Sequence, residues 1–407
     1  MATPRAAPYR ARQHSYGIPL MIAPLSAPTA RGPQASRRDE GALRYFSSHD
    51  LPDLCAEWRE IPLQSPHAHL FDLPEWVLSA MRVSNREPSF SAIVSRQGHK
   101  LIGVLPIVHR PYFLGAIPTV VIRGFTSQLS PRYDLIHHHA HAKLAAQMSW
   151  EELRRLKGWR VVELPNIPEG GAADIIADCA RRDGFRVETV STLSTPLIDL
   201  SAESSTYLPS EARAYRARLE TKLLQVRQLG DIQFRSYTSV DEPLRRLIAL
   251  EENSRQKRAI SPALRKAPAG GALYREIGLW AERYGGSRVF SLEINGDPIA
   301  MLLGITLRDT CYALRVAQDM RLAMYSPGQL VIMAALQELQ KQGTRKCELV
   351  GPALPWKRVW TSATRDHHSH YIFRPDRRGR TPLASILQLT LRGRSAWRHF
   401  VGWANTR

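Results

Sequence analysis

The amino-acid sequence predicts an α/β (α+β) protein of two tandem domains, each a mixed twisted sheet flanked by helices. Three observations carry this. β-rich runs and stretches of helical spacing alternate along 407 residues, as layered architectures require. The order hairpin, strand, helix, glycine, strand occurs twice. Landmarks of the two passes also share an offset: Gly158 and Gly343 stand 185 residues apart (158 to 343), as do Glu163-Leu164 and Glu348-Leu349. A repeat this long argues for duplicated domains, since solenoid periods are about 20–50 residues.

Ser91–Ser95 and Lys100–Val108 are β-rich runs around Gln97-Gly98 and predict a hairpin. Thr119–Gly124 is a further strand. Ala142–Leu156 has helical spacing and stops at Gly158, a residue suited to a helix C-terminus. Trp159–Leu164 is a short buried strand, Ala172–Arg182 a helix and Arg186–Val190 a strand. The small polar run Ser201–Ser205 marks a boundary. Beyond it come a basic helix (Leu208–Leu229), a strand (Ile232–Tyr237), a helix (Glu242–Gln256), a proline-bearing loop (Ser261–Gly271) and a helix (Leu273–Tyr284) closed by Gly285-Gly286. Strands Arg288–Ile294 and Ile299–Thr306 flank Asn295-Gly296-Asp297, a strong hairpin signal. Strand Cys311–Asp319, helix Pro327–Gln342 and strand Lys346–Val350 complete the second pass. The chain thus divides into a basic arm (1–40), two domains (41–203 and 204–375) and a basic tail (376–407).

Composition narrows the function classes. Hydrophobic residues make up 43% and charged residues 23%, a globular balance that excludes collagen and general disorder. The net charge is +19. Residues 1–38 hold six arginines and no acid, and Arg374–Arg407 holds eight arginines against Asp376. The arm reads as a solvated tail, with a transit peptide as alternative. In the tail, Ala384, Leu387, Leu391, Trp397, Phe400 and Val401 fall near helical spacing. That suits either contact with an anionic membrane or packing on the protein's own body. Cys55, Cys179, Cys311 and Cys347 form no CxxC pair, which excludes a disulfide scaffold and a cysteine-based zinc site. Without an apolar run of about 20 residues or a secretory leader, the chain reads as cytoplasmic, possible contact with the inner membrane being through its tail.

The most informative stretch is Tyr325-Ser326-Pro327-Gly328-Gln329-Leu330, which opens a long helix. Ser326 fits the N-cap, Pro327 the first helical position and Gln329 the third, as in a capping box. Gly328 permits close approach to the backbone. Free amides at such a start would hold a phosphate or diphosphate; the alternative is a well-made helix start and nothing more.

This stretch, with Gly296-Asp297-Pro298-Ile299-Ala300, Tyr312 through Asp319, Glu348-Leu349-Val350-Gly351, Lys357 and Trp360, resembles the GNAT superfamily of N-acetyltransferases. The resemblance is to its CelD/BcsL-like branch, which is associated with bacterial cellulose and exopolysaccharide gene clusters and related to the Fem peptidyltransferases. Leu101 through Pro106 and Tyr133-Asp134-Leu135 fit the same branch, and the likeness covers roughly residues 45–373. It implies two GNAT-like domains, the second binding acetyl-CoA or another acyl-CoA. Strand Cys311–Asp319, with Val316 and Gln318, would then pair with the pantetheine amides. The backbone from Tyr325 and Ser326 through Pro327, Gly328, Gln329 and Leu330 would hold the diphosphate. After Gly351 that branch usually carries Asp-Glu and then Tyr-Lys; here Pro352-Ala353-Leu354-Pro355-Trp356-Lys357 lacks the acidic pair.

Glu348, Asp134 and Lys357 are the candidate catalytic residues, with Glu251 a further acid/base candidate. Each has a plain structural alternative: an edge residue, a turn residue, an ion-pair partner, a solvated helix face. His137-His138-His139-Ala140-His141 and His367-His368-Ser369-His370 lack metal-site spacing, and neighbours on a strand point to opposite faces, so no metal is expected. The basic helix carries Arg216 and Glu220 at i,i+4 among Arg213, Arg218, Lys222 and Arg227, either a solvated face or a phosphate-tracking one. The leading function is acyl transfer from acyl-CoA to an amine or hydroxyl of a saccharide or envelope-precursor acceptor. The alternatives are tRNA-dependent aminoacyl transfer, the one route by which nucleic acid would be a partner, and a non-catalytic basic module docking on an anionic membrane or polymer.

Overall fold

Strands from both halves of the chain join edge to edge in the computed structural model, which describes residues 40–45, 51–65, 69–83, 90–114, 117–127, 130–201, 210–255, 268–376, 378–381 and 383–385. The first half supplies β1 (Glu40–Tyr45), α1 (Leu51–Gln64), α2 (Pro74–Val83), β2 (Phe90–Gln97), β3 (Lys100–Leu114), β4 (Ile117–Gly124), β5 (Ile136–His137), α3 (Ala142–Arg155), β6 (Val161–Pro168), α4 (Ala173–Arg182) and β7 (Arg186–Asp199). The second supplies α5 (Ser210–Arg227), β8 (Ile232–Tyr237), α6 (Asp241–Arg255), α7 (Pro268–Arg283), β9 (Ser287–Ile294), β10 (Asp297–Leu307), β11 (Thr310–Gln318), α8 (Pro327–Lys341), β12 (Lys346–Leu349), α9 (Pro355–Arg358) and β13 (Thr364–Phe373). The sheet order is β1-β2-β3-β4-β6-β13-β7-β12-β11-β10-β9-β8, with β5 paired to β3. The expected mixed α/β class is the one observed. Helices α3 and α8 begin at Ala142 and Pro327, in keeping with the repeat.

The repeat is not cleanly partitioned. Strand β13, from the second half, lies between β6 and β7 of the first, antiparallel to both. Its run Thr-Arg-Asp-His-His-Ser-His lacks apolar alternation, so sequence reading leaves it a surface loop or strand edge; instead His367 and His370 are buried in mid-sheet. Strand β7 extends well beyond Val190. Its far end, Leu197–Asp199, pairs with β12, and Pro196 sits where the partner changes from β13 to β12. Proline inside a run argues against a central strand, which is why the extension was hidden. Helix α7 starts at Pro268 rather than Leu273; proline is well suited to a first helical turn.

One core spans both halves. Trp58, Leu73 and Trp76 from the α1–α2 region cluster with Leu303, Ile305 and Tyr312 of the second half. On the opposite side α3 and α4 pack on first-half strands through Trp150, Leu153 and Ile176, and α8 packs on second-half strands through Leu330, Ile332 and Leu336. Leucine-sized side chains each contribute roughly 1.5–3 kcal/mol when fully buried, so the shared cluster of Trp58, Leu73 and Trp76 with Leu303, Ile305 and Tyr312 ties the halves together. The arm, the boundary at 202–205, the loop at 261–267 and most of the tail lie outside the described residues. In the tail's described part, Ala384 is buried against Val121, Val161 and Phe373. Among the described residues no helix is long and apolar enough to cross a membrane.

Candidate functional site

Strands β11 and β12 pair in parallel only from Thr310↔Lys346 to Ala313↔Leu349. Strand β11 runs on to Gln318, held by β10, after β12 has ended, so the two part beyond Ala313 and Leu349. The ammonium of Lys357, on α9, donates to the carbonyls of Leu349 and Val350 at 3.2 and 2.6 Å, the end of the shorter strand. Burial lowers its pKa to about 8, an effect that nearby Glu348 opposes.

Strand β11 leads through a helical turn, Met320–Tyr325, into α8. Here the capping-box expectation is corrected. Ser326 is left-handed (φ 56°, ψ 49°) and its side chain makes no cap; its hydroxyl accepts from Lys222 Nζ of α5 at 2.7 Å. The Gln329 side chain accepts from Trp360 Nε1 at 2.7 Å. Nor are the first amides free. Gly328 N–H donates to Gln318 Oε1 at 2.9 Å, and those of Gln329 and Leu330 donate to the Ser326 carbonyl at 2.9 and 3.1 Å. A left-handed non-glycine residue costs of order 1–3 kcal/mol and is met most often at functional sites. Val316, Gln318 and Gly328 converge: a Cβ on Gly328 would lie 2.6 Å from Gln318 Oε1 and 3.6 Å from Val316 Cγ1. Of these three amides that of Gly328 alone is held by a side chain, the Gln318 carboxamide, with Lys222 bonded to the neighbouring Ser326.

Behind the paired segment lies a buried polar cluster. Glu348, 4% exposed, accepts from His69 Nε2 and Arg365, each at 3.1 Å. Phe71 N–H donates to His69 Nδ1 at 3.3 Å, so the ring proton sits on Nε2 and faces Glu348. Burial favours a neutral His69 and lowers its pKa, against the pull of Glu348. Burial alone would raise the Glu348 pKa, but His69 and Arg365 hold it down to about 2. Tyr312, opposite Glu348 in register, has its phenol pushed up by burial and then by Glu348. Burial and Arg132 bring His367 down to about 4. Arg132 Nε and His367 Nδ1 are buried with no hydrogen-bond partner, an arrangement that invites a ligand.

Tyr312, Arg132 and Arg365 open onto a cleft of about 660 Å³ between the halves, also lined by Asp134, Asp174 and Lys346. Asp134 accepts from Ala172 and Ala173 N–H at 3.2 and 2.8 Å at the start of α4. Burial raises its pKa to about 6 despite Arg132. Sequence reasoning thus named Glu348, Lys357 and Asp134, of which the first two meet at the β12 end while Asp134 faces the cleft. Glu251 pairs with Arg315, on the part of β11 that runs beyond the end of β12. His69, Tyr312, Arg132 and Arg365 were missed as site residues; only the fold joins them, across distances no local motif spans.

Residues 213–358 match the family model described as an acetyltransferase (GNAT) domain. That segment runs from α5 to α9 and contains the parted strands. No curated protein matches the chain. Among solved structures the chain is similar to FemX (TM-score 0.53, 10% identity, 82% of this chain and 97% of that one). It is similar also to the C-terminal domain (DUF2156) of a putative lysylphosphatidylglycerol synthetase from Agrobacterium fabrum (TM-score 0.49, 10% identity, 83% and 94%). A third is a tandem GNAT protein from the clavulanic acid biosynthesis pathway (TM-score 0.43, 12% identity, 83% and 100%). The likeness to FemX is one of fold.

Proposed function

Taking residues 213–358 as an acetyltransferase (GNAT) domain, we propose that the protein moves an acyl group from acyl-CoA to an amine or hydroxyl of a sugar-linked or envelope-precursor acceptor. The observation that carries this is the parting of β11 and β12 beyond Ala313 and Leu349, directly ahead of the helix that Lys222 and Gly328 adjoin. The acyl carrier would enter the gap, its diphosphate replacing the Gln318 carboxamide. Lys357 is a positioning residue that occupies the carbonyls at the end of β12 and keeps the gap's edge satisfied.

The acceptor would lie in the cleft between the halves, whose charges of both signs suit a hydroxyl- and amine-bearing molecule. Its nucleophile attacks the thioester carbonyl, the new C–N or C–O bond replaces the C–S bond, and the CoA thiolate leaves. A base is needed for the nucleophile's proton, and effectiveness falls when its pKa is far from the working pH. Glu348, at about 2, is too weak. Asp134, at about 6 and in the cleft, is the better choice.

Calorimetry with acetyl-CoA tests the donor. Saturable binding is expected, weakened about tenfold or more (1.4 kcal/mol per decade) in Gly328→Val and strengthened in Gln318→Ala. A folded Gly328→Val protein with undiminished affinity would remove the helix start from the site. Salt-sensitive tRNA binding without CoA binding would replace the donor with an aminoacyl-tRNA; binding of neither would leave the docking module.

A further inference from the structure

Histidines at i and i+2 of a strand share a face, and on β13 these are His368 and His370. Helix α4 brings them a carboxylate that no local spacing foretells. Asp174 Oδ1 lies 2.6 Å from His368 Nε2 and 2.9 Å from His370 Nε2. One ligand atom from each of the three residues falls within 4.8 Å of the others. The group is half-sheltered, with side-chain exposures of 31%, 21% and 5% for Asp174, His368 and His370.

A second observation concerns orientation. The other nitrogen of His370, Nδ1, lies 2.9 Å from Thr189 Oγ1 on β7, and Arg181 also donates to that hydroxyl at 3.0 Å. A hydroxyl oxygen has two lone pairs, so it can accept from both. When a cation takes Nε2 the His370 proton sits on Nδ1 and donates to Thr189; without one, Thr189 donates to Nδ1 and Nε2–H to Asp174, so the ring keeps its orientation in both states. Metal-bound histidines are typically oriented by a hydrogen bond from the distal nitrogen.

We propose that Asp174, His368 and His370 form a binding site for a divalent transition-metal ion of the zinc class. Two imidazoles and one carboxylate are a set that zinc accepts, with a fourth position left for water or substrate. Ligand bonds of about 2.0–2.1 Å at tetrahedral angles require donors about 3.3 Å apart, so the carboxylate withdraws by roughly half an ångström as the ion enters. The ion clamps β13, which the second half contributes, to α4 of the first. Asp174 also lines the cleft, which places the clamp at the cleft's edge. The site stands independently of the acyl-transfer reading.

The test is zinc titration of the metal-stripped full-length protein in competition with a chromophoric chelator, with thermal unfolding as a second readout. A single equivalent should bind and raise the unfolding temperature. Asp174→Asn and His368→Ala should abolish both effects, and Thr189→Val should weaken binding about 10–100-fold, as loss of an orienting partner does. His139→Ala, in the other histidine run, should change nothing. Should His368→Ala fail to fold, Asp174→Asn and Thr189→Val decide. Absence of zinc binding, or binding that Asp174→Asn and Thr189→Val leave intact, overturns the proposal.

Discussion

Glu163 and Glu348 occupy corresponding places in the two halves, one on β6 and one on β12, yet they are neutralised in different ways. Glu163 faces Arg123 across its own parallel ladder, and the two pair at 2.9 Å. Glu348 faces Tyr312, which brings no charge; its partners are His69 from the first half and Arg365 from β13. Burial, against the pull of Arg123, raises the Glu163 pKa, whereas Glu348 is driven down to about 2. The gaps beyond these residues differ too. In the first half, Tyr133 N–H donates to the Asn166 carbonyl at 3.3 Å, and Asn166 Nδ2 to that of Pro131 at 2.6 Å. The Tyr133 ring is so close to Gly124 that a Cβ there would overlap it. The chain thus fills its own first gap, while in the second a lysine tends the strand end. The two halves share an element order, and each glutamate also takes a partner from the other half, Glu163 the phenol of Tyr371 and Glu348 the imidazole of His69.

The sharpest way to break this comparison is to remove each carboxylate. Glu348→Ala should cost the most, about 3 kcal/mol, because it strands the buried His69 Nε2–H and takes the acceptor from Arg365. Glu163→Ala, part-exposed beside Arg123, should cost about 1–3 kcal/mol. Equal losses in urea unfolding would show that the two carboxylates are held equally firmly. Next in size is Asp134→Ala, about 1–3 kcal/mol for the stranded amides of α4, and its pH dependence sharpens the contrast. The folded pKa of Asp134, about 6, lies above the ordinary 3.8, so its contribution is full below about 4 and is lost as pH rises through 6. That of Glu348 is full above 4.5 and is lost as pH falls through about 2. Asp134→Asn should therefore remove a decline in stability between about pH 4 and 6 that Glu348→Gln leaves in place. The smallest effect is expected from Gln329→Ala, about 1 kcal/mol for the lost Trp360 hydrogen bond; a greater loss would make the α8–α9 contact part of the second half's framework.

How much of this was legible depended on how local the signal was. The hairpin around Asn295-Gly296, the glycine end at Gly343 and the 185-residue offset are short-range or periodic features, and they led to the right fold class; Gly158 lies beyond its helix, which is capped at Leu156. Strand β13 was illegible because its polar residues owe their burial to neighbours drawn from the other half. Glu348 and Lys357 were found through resemblance, and their nearness to each other through the fold. His69 gives no signal in sequence: its part is set by one hydrogen bond to Glu348, 279 positions away. The Ser326 reading failed for a related reason, since its hydroxyl answers to Lys222 on a helix 104 positions upstream.

The place of β13 between β6 and β7 bears on how the protein is made. When Asp199 leaves the ribosome, β6 lacks one neighbour and β7 lacks both, because β13 and β12 are still to be translated. At about 5–20 residues per second, Phe373 follows some tens of seconds later in the slow case. Throughout that interval one edge of β6 and both edges of β7 lack the strands that cover them in the finished sheet, so the last strand to be made is the one that joins β7 to the first half.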